Sequence, residues 1–529
     1  MEVCERNSEV PAKCSFEDAL NLTGFGKYNF FMLTTCCCLI MAMYLDIFGF
    51  SVVLPSVACD LGLTTSQQGM LSAVSLIGIM ASSYAWGICA DTLGRRTTLL
   101  FAMPVGVILG LAVSVAPTFE TLAVLKFLSG AFTASANAAA FVLQGESVPC
   151  RQRSRFMFLM ASATMVVQFV ICSIGLPIFR LTFRINIAWL SLDYRPWRLL
   201  LQIISLPGIL GVIGLLFMKE SPKFLLSKGQ DDAAINVLKS IYRWNTGLHP
   251  NTYPVTSVFL EETLRSEDVD TSFVRRMWNQ TAPLFKPPLL KNSLKLYYML
   301  LCAYMTSTGY TMWLPTMTNA YFNGEDSSGK TFCEVASTAA TSSSSNSTTV
   351  TDCDNVIQPL TLYAVMFYSG LSGTLNILLT FLVEPLGKRR TTHLIFCASI
   401  VCGILLLFVR VPLLSIILFY NFLYVALILG NVNTYLVELN PTYLRGMATC
   451  LSVLVARGFG FFSVQLIASM LADHCTPMVS GYIALVISGL IVSIFLPPDV
   501  KKTEDQVPRD IQQTEYYNNI SAENEKTQI

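Results

Sequence analysis

Three charged residues stand inside long apolar runs of this sequence: Asp46 in LIMAMYLDIFGF, Lys126 in LAVLKFLSG and Arg457 in LSVLVARGFGFF. A charge in hydrocarbon costs free energy, so an ionisable residue at that depth is a candidate for function. An acid that alternately binds a proton and pairs with a cation can couple proton movement to that of a solute. Asp46 and Lys126 have the residue types for that chemistry; a purely structural ion pair is the competing reading. Arg457 would draw an anionic or carboxylate-bearing solute, or else pair with Asp46 or with backbone carbonyls. Asn421, Tyr424, Asn431, Tyr435 and Glu438 lie at helical spacing and form one polar stripe. Such a stripe either lines a water-filled cavity or joins helices by hydrogen bonds. Asn137, Trp313 and Asn376 are further candidates for lining a solute site. His249, His393 and His474 lie away from the centres of the apolar runs, so a histidine relay is not expected.

A second group of charges sits between apolar runs and repeats. Asp91, Gly94, Arg95 and Arg96 of GICADTLGRR align with Glu384, Gly387, Lys388 and Arg389 of EPLGKRR, 293 residues later. Glu146, Pro149 and Arg153 of GESVPCRQR align with Glu438, Pro441 and Arg445 of VELNPTYLR, 292 residues later. Two separate charged motifs at nearly one offset imply a duplicated unit. Parallel repeats of this kind build one large transporter class, with the solute site at mid-membrane between the halves. Duplication that merely makes a stable bundle is the alternative.

The elements that must position these residues follow from composition. Of 529 residues, 53% are hydrophobic and 13% charged, about half the charged share of roughly 25% usual for soluble chains. That excess of apolar surface suits a chain solvated by lipid. Near balance, 35 basic against 34 acidic residues, argues against nucleic-acid binding. Apolar runs near 28–54, 68–90, 97–116, 119–144, 156–179 and 198–218 read as six spans. Runs near 294–318, 358–383, 391–409, 412–437, 446–472 and 477–497 read as six more. The expectation is an all-α membrane protein of twelve transmembrane helices in two parallel-repeat six-helix bundles, 28–218 and 294–497. Residues 1–27 would be a cytoplasmic N-terminus, 219–293 a cytoplasmic loop with short helices, 319–357 an outer loop and 498–529 a cytoplasmic tail. The N-terminus has acids and no apolar h-region, so the first span should serve as the targeting signal. Loops carrying Arg95 and Arg96, Arg151 to Arg155, Lys388 to Arg390, and Arg445 fall on one side, which the positive-inside rule makes cytoplasmic. Arg180, Arg184, Arg195 and Arg198 fall on the other side and oppose that rule.

GICADTLGRR resembles the loop signature of the major facilitator superfamily, with Thr92 where that family usually has a basic residue. The E-x-x-P-x-x-x-R pairs and ESPKFLLSKGQ (Glu220 to Gln230) are similar to its sugar-porter branch. VVLP, MWLP and the run onward from Glu220 look most like the synaptic vesicle glycoprotein 2 group and its relatives. The chain departs from that group in its short N-terminus and short outer loop, so partner binding that depends on those regions is not expected. The resemblance implies that cytoplasmic charges form networks holding the halves together when the site faces outward. Carried over, these are Asp91, Arg95, Glu146, Arg153 and Glu220 in the first half, and Glu384, Lys388, Glu438 and Arg445 in the second. Asp91 sits where it could also cap a helix N-terminus in the neighbouring half. In proton-coupled sugar porters a span-one acid and a span-four arginine serve coupling; here Lys126 takes the arginine's place.

Other signals carry less. GEDSSGKT (Gly324 to Thr331) fits the P-loop spacing but lacks the strand and helix a phosphate cradle needs, so no nucleotide is expected. Asn346 opens a glycosylation sequon in the outer loop, and Cys333 and Cys353 bracket that loop as a candidate disulfide. Cys36, Cys37 and Cys38 point around a helix rather than at one metal, so neither a metal nor a cofactor is expected. QDDAAINVLKSIY reads as a short amphipathic helix. No nucleophile–base pair stands out, so an enzyme is not expected. The leading reading is a multi-pass transporter moving a small organic solute by rocker-switch alternating access, with proton coupling left open. Its membrane would be the plasma membrane or that of an intracellular vesicle. The alternative is a non-transporting vesicle-type glycoprotein that uses the fold as scaffold or receptor.

Overall fold

Lipid gives backbone groups no hydrogen-bond partners, so each apolar run must satisfy its own amides, and a helix does that within one segment. In the computed structural model the runs are helical; residues 13–188, 192–259, 282–287, 289–323, 329–342, 356–440 and 442–496 are described. Among them, ten helices are long and apolar enough to cross a membrane, and an eleventh crossing is a pair bent by 44°. Spans 1 to 4 are Lys27–Leu61, Thr65–Leu93, Arg95–Val113 and Phe119–Ser147. Span 5 is the bent pair, Cys150–Met165 and Val167–Ile178, and span 6 is Pro196–Phe217. Span 7 is the helix Leu290–Asn323. Its 34 residues could cross, but its Tyr, Thr, Ser and Asn residues lower its hydropathy below that of the ten. Spans 8 and 9 are Pro359–Leu386 and Lys388–Phe408. Span 10 runs through Pro412–Leu423, Tyr424–Leu427 and Ile428–Leu439. Spans 11 and 12 are Thr442–Met470 and Cys475–Ile494. The twelve expected segments are thus present, and the chain is a multi-pass membrane protein. Phe101, Phe367, Phe381 and Phe408 stand exposed on the outside of the bundle, where lipid is the solvent.

Helix starts follow local chemistry. Thr64 accepts from Gln67 N while Gln67 reaches back to the Thr64 amide, a reciprocal cap on span 2. Thr118 and Thr121 do the same for span 4. Close packing uses small residues: a Cβ placed on Gly130 of span 4 would lie 2.8 Å from the Ser75 carbonyl of span 2, so the two backbones touch there.

The repeat is visible in the backbone. Gly94 and Gly387, matched in the duplicated motif, both join two spans with positive φ, 106° and 86°. The arginine two positions on from each has one task in both halves. Arg96 donates to the Leu215 and Leu216 carbonyls at 3.1 and 3.2 Å, and Arg389 donates to the Ile494 carbonyl at 2.5 Å. Each guanidinium therefore satisfies bare carbonyls at the end of the last span of its own half, where a cation is also favoured by the helix dipole.

The end of the bundle bearing these arginines, the basic face, carries a small module of its own. Strand Lys13–Ser15 pairs in parallel with strand Ser257–Phe259, Cys14 opposite Val258. Helices Phe16–Leu22, Pro222–Ser227 and Asp231–Thr246 pack around it, burying Phe16, Leu20, Ile235, Leu238, Tyr253 and Val258. The Tyr253 hydroxyl donates to the Ala19 carbonyl at 2.6 Å, and burial pushes its pKa up. Residues 13–22 are therefore built into the loop between the halves, and the amphipathic helix expected there is the helix beginning at Asp231.

At the opposite face two of the four arginines that oppose the charge rule pair closely with carboxylates, and a third is held by carbonyls. Arg195 pairs with Asp60 at 2.8 Å, and Arg184 with Asp193 at 2.5 Å. Arg198, 1% exposed, donates to the carbonyls of Ser114, Ala116 and Asp193. Hydrogen bonds from Arg184 and Asn186 hold the Asp193 carboxyl below the usual carboxylate range.

The expected Cys333–Cys353 disulfide is corrected. Cys333 is bonded to Cys475, with Cα atoms 5.4 Å apart. The helix Phe332–Ser342 lies against span 12, which brings Cys333 to the first residue of that span. Cys353 and the sequon at Asn346 lie outside the described residues.

Candidate functional site

The buried acid is positioned by a break in its helix. Span 1 runs as α-helix to Tyr44, as a π turn over Leu45–Gly49, then again as α-helix from Phe50. Such widened turns shift the hydrogen-bond ladder by one residue and free a carbonyl, and they concentrate at functional sites. Here the Lys126 ammonium donates both to the Asp46 carbonyl and, at 2.7 Å, to Asp46 Oδ1. It also lies 4.7 Å from the centre of the Phe50 ring. Lys126 is 2% exposed, so the pair is close to fully withdrawn from water on the lysine side. Asp46 Oδ2 is buried without a partner. A small pocket opens beside the pair, lined by Asp46, Lys126, Ser129, Thr133, Leu201 and Ser205 among others. All of its lining belongs to the first half, so this pocket is distinct from the seam between halves.

Arg457 lies at the seam. Its guanidinium is 3.4 Å from the Tyr44 hydroxyl and 5.5 Å from the centre of the Tyr44 ring. Tyr44 belongs to span 1, so this contact crosses from one half to the other. Neither Asp46 nor any other carboxylate among the described residues is within ion-pair distance of Arg457, and its Nε is buried without a partner. The first anticipated pairing, Arg457 with Asp46, is absent in this conformation.

The polar stripe of span 10 is used for packing here. Asn431 donates to Thr392 Oγ1 at 3.2 Å and to the Lys388 carbonyl at 3.4 Å. Tyr424 stacks on Tyr368 at 5.4 Å with rings 5° from parallel. Asn421 donates to Ile417 of its own helix. Trp313 is buried, its indole N–H directed at the Val464 carbonyl, which ties span 7 to span 11. Asn137 and Asn376 are half-buried on spans 4 and 8.

At the basic face, Arg95 pairs with Asp91 and with Glu146, both at 3.2 Å, and lies over the Phe224 ring. Glu146 also accepts from Ser221 Oγ at 2.5 Å. Glu220, not Asp91, caps a helix: its carboxylate accepts from the Arg96 and Thr97 amides at 2.9 and 3.1 Å, at the start of span 3 in its own half. A carboxylate there meets both bare N–H groups and the positive end of the helix dipole. Arg153 is not in this cluster; it pairs with Glu17 at 2.8 Å and so anchors the N-terminal module to span 5. The Lys388 ammonium lies over the Tyr435 ring. The side chains of Glu384, Glu438 and Arg445 lie outside the described residues. Each ion pair named here joins residues of one half.

Hydrogen bonds that cross between halves lie elsewhere. Ser369 of span 8 donates to the Met165 carbonyl at 2.8 Å and accepts from the Phe169 amide at 3.2 Å. Gln168 reaches the Thr311 carbonyl. A Cβ on Gly69 would meet Ala468 at 2.4 Å. These contacts run from mid-bundle to the end opposite the basic face.

Sequence reasoning missed Tyr44, Glu17 and Asp60, and matched Arg96 with Arg389 without giving them their capping role. The shared 293-residue offset of the two arginines was the signal for a common role; Tyr44 and Glu17 carry no sequence signal of their partners.

Comparison with known proteins agrees with this architecture. The chain is 24% identical over 507 residues to svop-1 of Caenorhabditis elegans, covering 94% of this chain and 88% of that one. It is 24% identical to synaptic vesicle glycoprotein 2A of Rattus norvegicus over 323 residues, covering 57% of this chain and 43% of the relative. The xylose transporter XylE from E. coli, in a partially occluded inward open conformation, superposes with a TM-score of 0.61 at 14% identity, over 89% of this chain and all of that one. The family model of the Major Facilitator Superfamily matches residues 36–464, and with twelve spans in two matched halves the chain belongs to that superfamily.

Proposed function

We propose that this chain is a secondary transporter that moves a small organic solute by rocker-switch alternating access, with its basic face and both termini cytoplasmic. The observation that carries this reading is the distribution of contacts along the seam. Contacts between the halves run from hydrogen bonds at mid-bundle to the packing of Gly69 on Ala468 at the far end, while Asp91, Arg95, Glu146 and Arg153 pair inside their own half. We read that distribution as a bundle closed outside and parted inside. Rotation to the opposite state would bring the basic loops of the two halves together. Exposed ion pairs contribute only about 0–1 kcal/mol each, which suits a switch whose states differ by a few kcal/mol. The fold neighbours described as inward open XylE support the same state.

Asp46 is the proposed proton-binding group, since its second oxygen is free while Lys126 holds the first. The test is solute uptake by the purified protein in proteoliposomes, with and without an imposed pH gradient. A thermal-shift screen of sugars, carboxylates, amines and nucleosides would choose the solutes. The expected result is uptake that the gradient accelerates in the parent and not in Asp46→Asn. Gradient-driven uptake unchanged in Asp46→Asn would refute the coupling role. Absence of both stabilisation and uptake across the panel would favour the scaffold reading, which the likeness to vesicle glycoproteins keeps in view.

A further inference from the structure

The transport reading leaves the solute's chemical class open, and the charge count at the seam addresses it. Asp46 and Lys126 cancel one another. Arg457 is not cancelled: it is 7% exposed, touches a neutral phenol, and has its Nε buried without a partner. An arginine cannot shed its charge by deprotonation. A buried cation without a counterion is strongly disfavoured, so the site is incomplete as it stands. Its surroundings narrow what would complete it. The guanidinium sits at the contact between halves, with Tyr304 of span 7 near both Arg457 and Tyr44, and Tyr44 is stacked on Phe48 at 6.0 Å.

We propose that the transported solute is a small carboxylate anion, bound at the seam by Arg457 with its carboxylate on the guanidinium and its body against Tyr44. The planar fork of arginine matches a carboxylate in two parallel hydrogen bonds. The solute would supply the negative charge that no described residue supplies, and the Tyr44 hydroxyl from the other half would join the same contact. Binding would then act on both halves at once, which is what a solute must do to bias a two-state seam. This assignment rests on the transport reading.

The experiment uses solute pairs that differ chiefly in charge, 4-hydroxybenzoate against 4-hydroxybenzamide and glucuronate against glucose, with choline as a cation. Thermal stabilisation of the detergent-purified protein and uptake into proteoliposomes are both measured. The carboxylate of at least one pair should stabilise and be taken up in preference to its neutral partner. Arg457→Gln should weaken that binding about ten- to hundredfold, the scale of a lost charge-assisted pair of hydrogen bonds. Arg457→Lys should retain part of it, and Tyr44→Phe should weaken it less than Arg457→Gln does. Solute-free Arg457→Gln should melt at or above the parent temperature, because it removes an uncompensated charge; a lower melting temperature would mark Arg457 as structural and overturn the proposal. Uptake of glucose, the amide or choline that is indifferent to Arg457 would overturn the anion assignment and leave the transport reading standing. No binding and no uptake of any compound would count against both.

Discussion

Replacing Gly94 by alanine should damage the basic face through two separate costs, and a double-mutant cycle with Glu220 can tell them apart. Gly94 has φ of 106° and ψ of 154°, an essentially glycine-only conformation that costs a residue with a Cβ roughly 1–3 kcal/mol. The added Cβ would also lie 2.6 Å from Glu220 Oε2, so the carboxylate must leave the Arg96 and Thr97 amides it now caps. Losing a charged cap at a half-buried helix end is worth about 1–2 kcal/mol. Gly94→Ala should therefore cost about 2–5 kcal/mol and Glu220→Gln about 1–2. Once alanine has evicted the carboxylate, Glu220→Gln has little left to remove. The double mutant should then cost about 1–2 kcal/mol less than the sum of the singles. The assay is reversible unfolding of the purified protein by a denaturing detergent, followed by tryptophan fluorescence, on parent, singles and double. Additivity within about 0.5 kcal/mol would refute the idea that glycine is needed there to admit the Glu220 cap.

Asp46→Asn should leave Lys126 buried beside a neutral amide and cost about 3–5 kcal/mol. Adding Lys126→Met should recover most of that stability without restoring any pH dependence of uptake, and a melting temperature as low as that of the single mutant would disprove the pairing. Peptide mapping under non-reducing conditions should recover Cys333 linked to Cys475; a Cys333–Cys353 peptide would restore the pairing first expected. Asp193 is held below its usual pKa by Arg184 and Asn186, so its contribution is present above the unfolded carboxylate value and lost as pH falls through the lower folded value. Protection of Arg184 from proteolysis should accordingly be flat from pH 8 down to about pH 5 and fade only below about pH 4; loss near neutrality would point to another group.

Much of this architecture is legible in the sequence because lipid enforces length and apolarity, and because the chain is written twice. The matched glycines at 94 and 387 and the matched arginines at 96 and 389 behave alike in the folded protein. Asp46 and Lys126 were each conspicuous as charges at depth, and they meet. The span-10 stripe was harder to orient. In a membrane helix, lipid and protein interior are equally apolar, so polarity marks a special face without saying whether that face meets water or another helix. Asn431 and Tyr424 meet other helices. The π turn at Leu45–Gly49 is marked by no motif either: Asp46 and Gly49 are weak helix formers, but weak formers such as glycine are common in spans that stay α-helical. Proximity along the chain favoured Cys353 for Cys333, whereas packing of the outer helix on span 12 chose a residue 142 positions away.

The pairing of Lys13–Ser15 with Ser257–Phe259 has a consequence for biogenesis. The earliest strand of the chain cannot find its partner until all six spans of the first half have left the ribosome, and it can do so before Leu290 begins span 7. Closure of that small sheet, with Glu17 settling on Arg153, would mark the first bundle as complete before the second starts to insert. Spans 7 to 12 would then assemble against a finished surface rather than among six helices still free to exchange neighbours, a separation of steps that large chains use to avoid misassembly.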